Sequence, residues 1–300
     1  MRADRPLETV RLSLTILCCA LSLAAGAQPD APGEAVVIPG AEVADWGRVE
    51  KVYGHFGKPP GDSATHSPKL AAVLILHGSN GVDGRGAYYA KALQEAGIAT
   101  LEITMFASGG RPRSGTKATI PFASAALKWL AARSDVDGAR LGVMGVSWGG
   151  VMTVLMRSDL TQDAEGKDVP KPIAFAAMYP TCAVIARVLK NRQNAFYGAE
   201  TRMTSSPMLI QVGTQDDYED GEHACDALVA SWPAAAREHT TVRSYEGATH
   251  GFDLQGQPRQ FSDEFAHGGR GGLVRMWPTP DDAAAARTTL VAFFKEQLKP

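Results

Sequence analysis

A chain of 300 residues with a formal net charge of −2, 45% hydrophobic and 21% charged, is neither disordered nor fibrous in composition. Lys and Arg do not cluster beyond Arg111 and Arg113, so no nucleic-acid partner is expected. The histidines and cysteines lack metal-ligand spacing and no G-x-G-x-x-G follows a strand-like run, so neither a metal nor a dinucleotide cofactor is expected.

Arg2, Arg5 and Arg11 precede a mostly apolar run, residues 12–25, closed by Ala25, Gly26 and Ala27. This is the layout of a secretory signal peptide cleaved after residue 27, which predicts an exported, periplasmic or secreted protein. The run is short for a bilayer span, so no stable membrane insertion is expected after cleavage, and Cys18 and Cys19 belong to the discarded segment. Residues 28–45, rich in Pro, Ala and Gly up to Gly40, read as a flexible leader. Residues 46–300 remain for one α/β domain.

In that domain strands are predicted near 49–55, 70–76, 98–104, 140–145, 173–179, 207–212 and 240–245. Helices are predicted near 85–96, 120–133, 148–157, 183–190, 220–231 and 281–298. Such alternation builds a mostly parallel sheet flanked by helices on both faces. The run 70–76 is almost purely apolar, as a strand buried on both sides must be. The polar, proline-bounded segment 159–172 reads as a surface insertion, and 187–206 is a candidate lid or pocket wall.

Chemistry concentrates at the ends of the strands. Gly145, Val146, Ser147, Trp148 and Gly149 close an apolar run and open a helix, the G-x-S-x-G nucleophile elbow of an α/β-hydrolase. The flanking glycines let neighbouring backbone close in on a strained serine, whose Oγ then stands at the sheet edge. In this fold the acid and then the histidine follow the serine. Past the next strand-like runs stand Asp216 and Asp217, and then His250. Of the seven histidines, His223 falls in a predicted helix, His239 on a polar stretch and His267 in a glycine-rich loop, which leaves His250 as the base. Asp216 is the preferred acid, with Asp217 as the alternative. The oxyanion donors are expected to be the backbone N–H groups of Trp148 and of Ser79, with Asn80 as the alternative to Ser79. His77 is expected to order that loop rather than react. Arg111 is a candidate for binding a substrate carboxylate.

On these motifs the chain resembles the dienelactone hydrolase-like branch of the α/β-hydrolases over most of residues 71–298. The resemblance rests on the stretch 76–81, the elbow 145–150, the stretch 178–182, the acid loop 213–217, His250-Gly251-Phe252, and a closing helix with Phe293 and Phe294. The founding enzymes carry a cysteine nucleophile where this chain has Ser147, so the resemblance implies a serine esterase of related fold. The segment 255–280 also departs from the family pattern by separating the histidine from the last helix. The resemblance also implies cysteines in exported relatives at the positions of Cys182 and Cys225. With both residues just beyond strands at one sheet edge, a disulfide is expected in an oxidising compartment. The expected function is hydrolysis of a small carboxylic ester or lactone through Ser147, Asp216 and His250 and an acyl-enzyme. Acyl transfer or peptide cleavage on the same fold, or a non-catalytic binding protein derived from it, are the alternatives.

Overall fold

The computed structural model describes residues 32–61, 68–106 and 115–300. The signal segment 1–27 and Arg111 lie outside the described residues. Eight strands form one sheet: β1 (Glu34–Pro39), β2 (Lys51–Gly57), β3 (Leu70–Leu76), β4 (Ala99–Thr104), β5 (Val136–Val146), β6 (Ala174–Met178), β7 (Met208–Gly213) and β8 (Thr240–Tyr245). Their spatial order is β1-β2-β4-β3-β5-β6-β7-β8. The first two strands pair antiparallel and β2 also runs antiparallel to β4; every later pairing is parallel. This is the expected α/β-hydrolase fold.

The period-2 pattern of the central strands sorts side chains into two cores. From β3, Ala72, Leu74 and Leu76 enter one core while Ala71, Val73 and Ile75 enter the other. Helices α1 (Arg85–Glu95) and, at the C-terminus, α7 (Pro280–Leu298) cover the second core through Tyr89, Leu93, Leu290 and Phe294. Helices α2 (Ile120–Ala132), α3 (Trp148–Met156), α5 (Cys182–Lys190) and α6 (Ala224–Ala230) contribute to the first. Parallel pairing delivers the loops after β3, β5, β6, β7 and β8 to one edge of the sheet, where the site is built. Among the described residues, no helix is long and apolar enough to cross a membrane.

Three expectations need correction. Residues 28–45 are not a flexible leader throughout: residues 34–39 are β1, paired with β2 from Glu34↔Phe56 to Pro39↔Lys51, with Ile38 fully buried. Val36, Val37 and Ile38 are consecutive apolar residues among small and proline residues, so the sequence shows no period-2 pattern there. The segment 159–172 is not merely a surface insertion, because Asp159–Glu165 forms α4 with Thr161, Gln162 and Glu165 buried. Its polar groups are satisfied inside. Ser158 Oγ caps Thr161 N–H at 3.3 Å, and Ser124 Oγ donates to Glu165 at 2.8 Å. Finally, the helix predicted over 220–231 starts only at Ala224, because the preceding residues carry the acid loop.

Candidate active site

Ser147 follows β5 directly and precedes the first turn of α3, with φ 52° and ψ −113°. A side chain in this conformation is strained by roughly 1–3 kcal/mol, so the surroundings must enforce it. They do so by close backbone packing. A Cβ on Gly149 would stand 2.1 Å from Leu76 O, and one on Gly145 would stand 2.2 Å from the Gly149 carbonyl. The Ser147 N–H donates to Met178 O at 3.0 Å, which pins the turn to the neighbouring strand end.

The acid and base arrive on adjacent strands. β7 and β8 pair in register up to Gly213↔Tyr245, and beyond that the loops stay bonded through Gln215 N–H to Ala248 O at 2.9 Å. Gly213 permits this, since a Cβ there would stand 2.1 Å from Ala248 O. His250 Nε2 lies 2.9 Å from Ser147 Oγ and His250 Nδ1 lies 2.8 Å from Asp216 Oδ2. A carboxylate only accepts, so the imidazole proton sits on Nδ1 and Nε2 is free to accept from the serine hydroxyl. Asp216 Oδ1 accepts from Tyr218 N–H at 2.9 Å, which fixes the carboxylate plane. All three side chains belong to buried residues. Tyr179 and Tyr218 press edge-on against the imidazole, with centroids 4.8 and 4.4 Å away.

Of the two candidate acids, Asp216 is the one that meets the histidine. Asp217 turns the other way and accepts from the Arg275 backbone N–H, Nε and Nη2 at 2.8, 2.8 and 2.7 Å. Burial works to raise its carboxyl, but the bonds from Arg275 prevail and hold it below the usual range. Arg275 belongs to the segment 255–280, which folds as a hairpin of β9 (Arg259–Asp263) and β10 (Gly272–Met276). The same hairpin accepts the Tyr218 hydroxyl on Asp263 at 2.9 Å, and Trp277 N–H donates to Thr249 Oγ1 at 2.9 Å. The segment thus braces both the acid loop and the histidine loop.

Ser79 and Trp148 line the same cavity as Ser147, a space of about 310 Å³. Its walls are mostly apolar, with Val151, Val184, Ile185, Val188 and Phe196 facing inward and Lys117 the one charged side chain among the described lining residues. Residues 187–206 are therefore partly pocket wall. His77 orders the Ser79 loop, as expected: Nδ1 bonds Gly78 O at 2.7 Å and Nε2 accepts Met105 N–H at 2.9 Å. Burial lowers its basicity, which keeps this imidazole neutral in that role.

Cys182 and Cys225 form the expected disulfide. It joins the first residue of α5 to α6, immediately beyond the acid loop. Glu219, buried beside it, accepts from Cys182 N–H at 2.6 Å and Ala183 N–H at 2.8 Å. Burial and the nearby charge of Asp216 raise its carboxyl above the ordinary range.

Sequence reasoning missed Tyr218, Glu219 and a buried group made of Asp83, Arg85, Tyr89, Tyr179 and Asp253. Two signals were present: Tyr179 lies inside the stretch 178–182, and Asp253 directly follows His250-Gly251-Phe252. Nothing in the sequence marks Arg85.

Among solved structures, esterase 2 of Thermogutta terrifontis phosphorylated by paraoxon matches with a TM-score of 0.59 at 16% identity, covering 86% of this chain and 95% of that one. Dienelactone hydrolase of Anabaena variabilis matches with a TM-score of 0.55 at 16% identity, covering 88% and 98%. Est1E of Butyrivibrio proteoclasticus with bound ferulic acid matches with a TM-score of 0.57 at 14% identity, covering 83% and 96%. An uncharacterized protein of Mycobacterium tuberculosis is 29% identical over 160 residues, 49% of this chain, and the chain spans 52% of that curated relative's length. The model of the dienelactone hydrolase family matches residues 63–296, and the chain belongs to that family.

Proposed function

We propose that the chain is a serine carboxylic ester or lactone hydrolase that works through an acyl-enzyme. The observation that carries the reading is the hydrogen-bonded line from Ser147 through His250 to Asp216, opening on an apolar cavity. Ser147 Oγ attacks the substrate carbonyl while His250 Nε2 takes its proton, and Asp216 stabilises the imidazolium that forms. The N–H groups of Ser79 and Trp148 receive the developing oxyanion, each contributing about 3 kcal/mol to the transition state. His250 then protonates the leaving alkoxide, and a water deprotonated by the same nitrogen cleaves the acyl-enzyme. In a lactone the alkoxide stays attached and the ring opens.

The apolar wall of Val151, Val184, Ile185, Val188 and Phe196 favours a short, branched or aromatic apolar group on one side of the scissile bond. Export after cleavage at residue 27 belongs to the same proposal, and the bond between Cys182 and Cys225 supports an oxidising destination. The test is turnover of p-nitrophenyl esters of increasing acyl length beside simple lactones. Short and aromatic esters are expected to be cleaved and long-chain esters to be poor. A chain inert toward the entire panel contradicts the reading.

A further inference from the structure

Outside the lining of the cavity, and reaching His250 through the Tyr179 ring, lies a buried group of one cation, two carboxylates and two phenols. Arg85, 1% exposed at the start of α1, grips Asp83 through Nε at 2.9 and 3.1 Å and through Nη2 at 2.8 Å. Its remaining nitrogen, Nη1, donates to the Tyr179 hydroxyl at 3.1 Å. That hydroxyl donates to Asp253 Oδ1 at 2.6 Å, and Tyr89 donates to Asp253 Oδ2 at 2.7 Å. Each link is made by a side chain with almost no access to water, so no solvent competes for these bonds.

The group joins segments that are far apart in the chain. Asp83 follows the loop bearing Ser79, Tyr179 comes directly after β6, and Asp253 stands three residues past His250. The guanidinium also fills the space between two of these loops. A Cβ on Gly78 would lie 3.0 Å from Nη2, and one on Gly251 would lie 3.4 Å from Nη1. Tyr179, held left-handed at φ 38°, carries the connection onward by laying its ring against both the His250 imidazole and Phe252. Burial raises the Asp253 carboxyl even against the Arg85 charge and the bonds donated by Tyr179 and Tyr89.

We propose that Arg85, Tyr179 and Asp253 are positioning residues that lock the loop of Ser79 and the loop of His250 into one rigid frame, setting the imidazole against Ser147. This rests on the esterase reading only for its kinetic consequence. None of the three touches the cavity, so their loss should leave substrate binding intact and misplace the base. A displacement of about 1 Å at a reacting group can cost on the order of 100-fold in rate.

The test uses Tyr179→Phe, which keeps the ring against His250 but removes the hydroxyl, and Asp253→Asn, which keeps volume but removes the charge. Both are compared with Ser124→Ala, which removes an equally buried hydroxyl bond to Glu165 remote from the site. Expected is a kcat at least about tenfold below wild type with KM within about threefold, measured well below the melting temperature of each variant. The low-field proton resonance of the His250 Nδ1–H should shift or broaden in both, while Ser124→Ala loses stability and changes neither readout. A kcat within about twofold of wild type, or an unmoved resonance, in whichever variant folds overturns the proposal. Failure of both to fold while Ser124→Ala folds makes the group structural and also overturns it. Were the wild-type chain inert toward esters, the functional reading would fail while the resonance still decided this one.

Discussion

Replacing Asp216 by Asn probes the site with one atom. In the native carboxylate, Oδ2 accepts from His250 Nδ1–H and Oδ1 accepts from Tyr218 N–H, at 2.8 and 2.9 Å. An asparagine has one acceptor and one donor for these two places. With its NH2 toward Tyr218, two donors meet in a buried site, at a cost of about 1–3 kcal/mol. With its NH2 toward His250, every group is satisfied only if the imidazole proton moves to Nε2. The amide will adopt that second arrangement, and Nε2 then faces Ser147 with a hydrogen it cannot exchange for the hydroxyl proton. The Asp216 side chain is 0% exposed, so water cannot restore the missing charge beneath the imidazolium. Wrong-tautomer losses of this kind run to about 10⁴-fold in kcat, or about 5.5 kcal/mol at 1.36 kcal/mol per decade. The assay is kcat on a short p-nitrophenyl ester, with a thermal melt to verify folding. Asp217→Asn is the comparison. It breaks the bonds to Arg275 and should cost about 1–2 kcal/mol of stability but less than about fivefold in kcat. An Asp216→Asn enzyme within tenfold of wild type, or a larger loss on Asp217, refutes the assignment.

Two further outcomes follow from the surroundings. The bond between Cys182 and Cys225 closes a loop with a sequence separation of 43, worth about 4 kcal/mol in chain entropy, so Cys225→Ala should lower Tm on the order of 8 °C. Equal melting temperatures for the oxidised and substituted proteins would contradict this. Burial raises Glu165 from 4.5 to about 7 against its bond from Ser124. The folded state therefore holds a proton that the unfolded state has released, and stability should fall as pH rises through that window. Glu165→Gln should remove that part of the slope and be more stable than wild type at pH 8 by on the order of 3 kcal/mol, with Glu219 leaving a residual slope of the same sign. Denaturant titrations at pH 5 and pH 8 check it, and parallel curves for the two proteins would count against it.

The parts of the fold legible in the sequence are those where local pattern and tertiary environment agree. β3 is apolar throughout because both its faces are buried, and the elbow is legible because Gly145 and Gly149 are demanded by carbon–oxygen distances no other residue tolerates. Order along the chain singled out His250 and narrowed the acid to neighbouring aspartates. It favoured Asp216 but left Asp217 open, because the partner that draws Asp217 away, Arg275, lies 58 residues further on in a hairpin of weak pattern. The same limit hid Arg85: a buried arginine looks like any surface arginine until Asp83, Tyr179 and Asp253 are brought around it. β1 is illegible for a related reason: it is an edge strand of which only Ile38 is buried, so its sequence carries little of the hydrophobic pattern that marks the central strands.

A fluorophosphonate probe reports on Ser147 as the proposed nucleophile, and on its activation by His250, without knowledge of the natural substrate. Intact-mass and peptide analysis of the treated protein should find one adduct, on Ser147, with labelling and ester turnover both lost in Ser147→Ala and labelling at least about 10³-fold slower in His250→Ala. An unlabelled wild-type protein, or labelling and turnover that survive Ser147→Ala, would contradict the account.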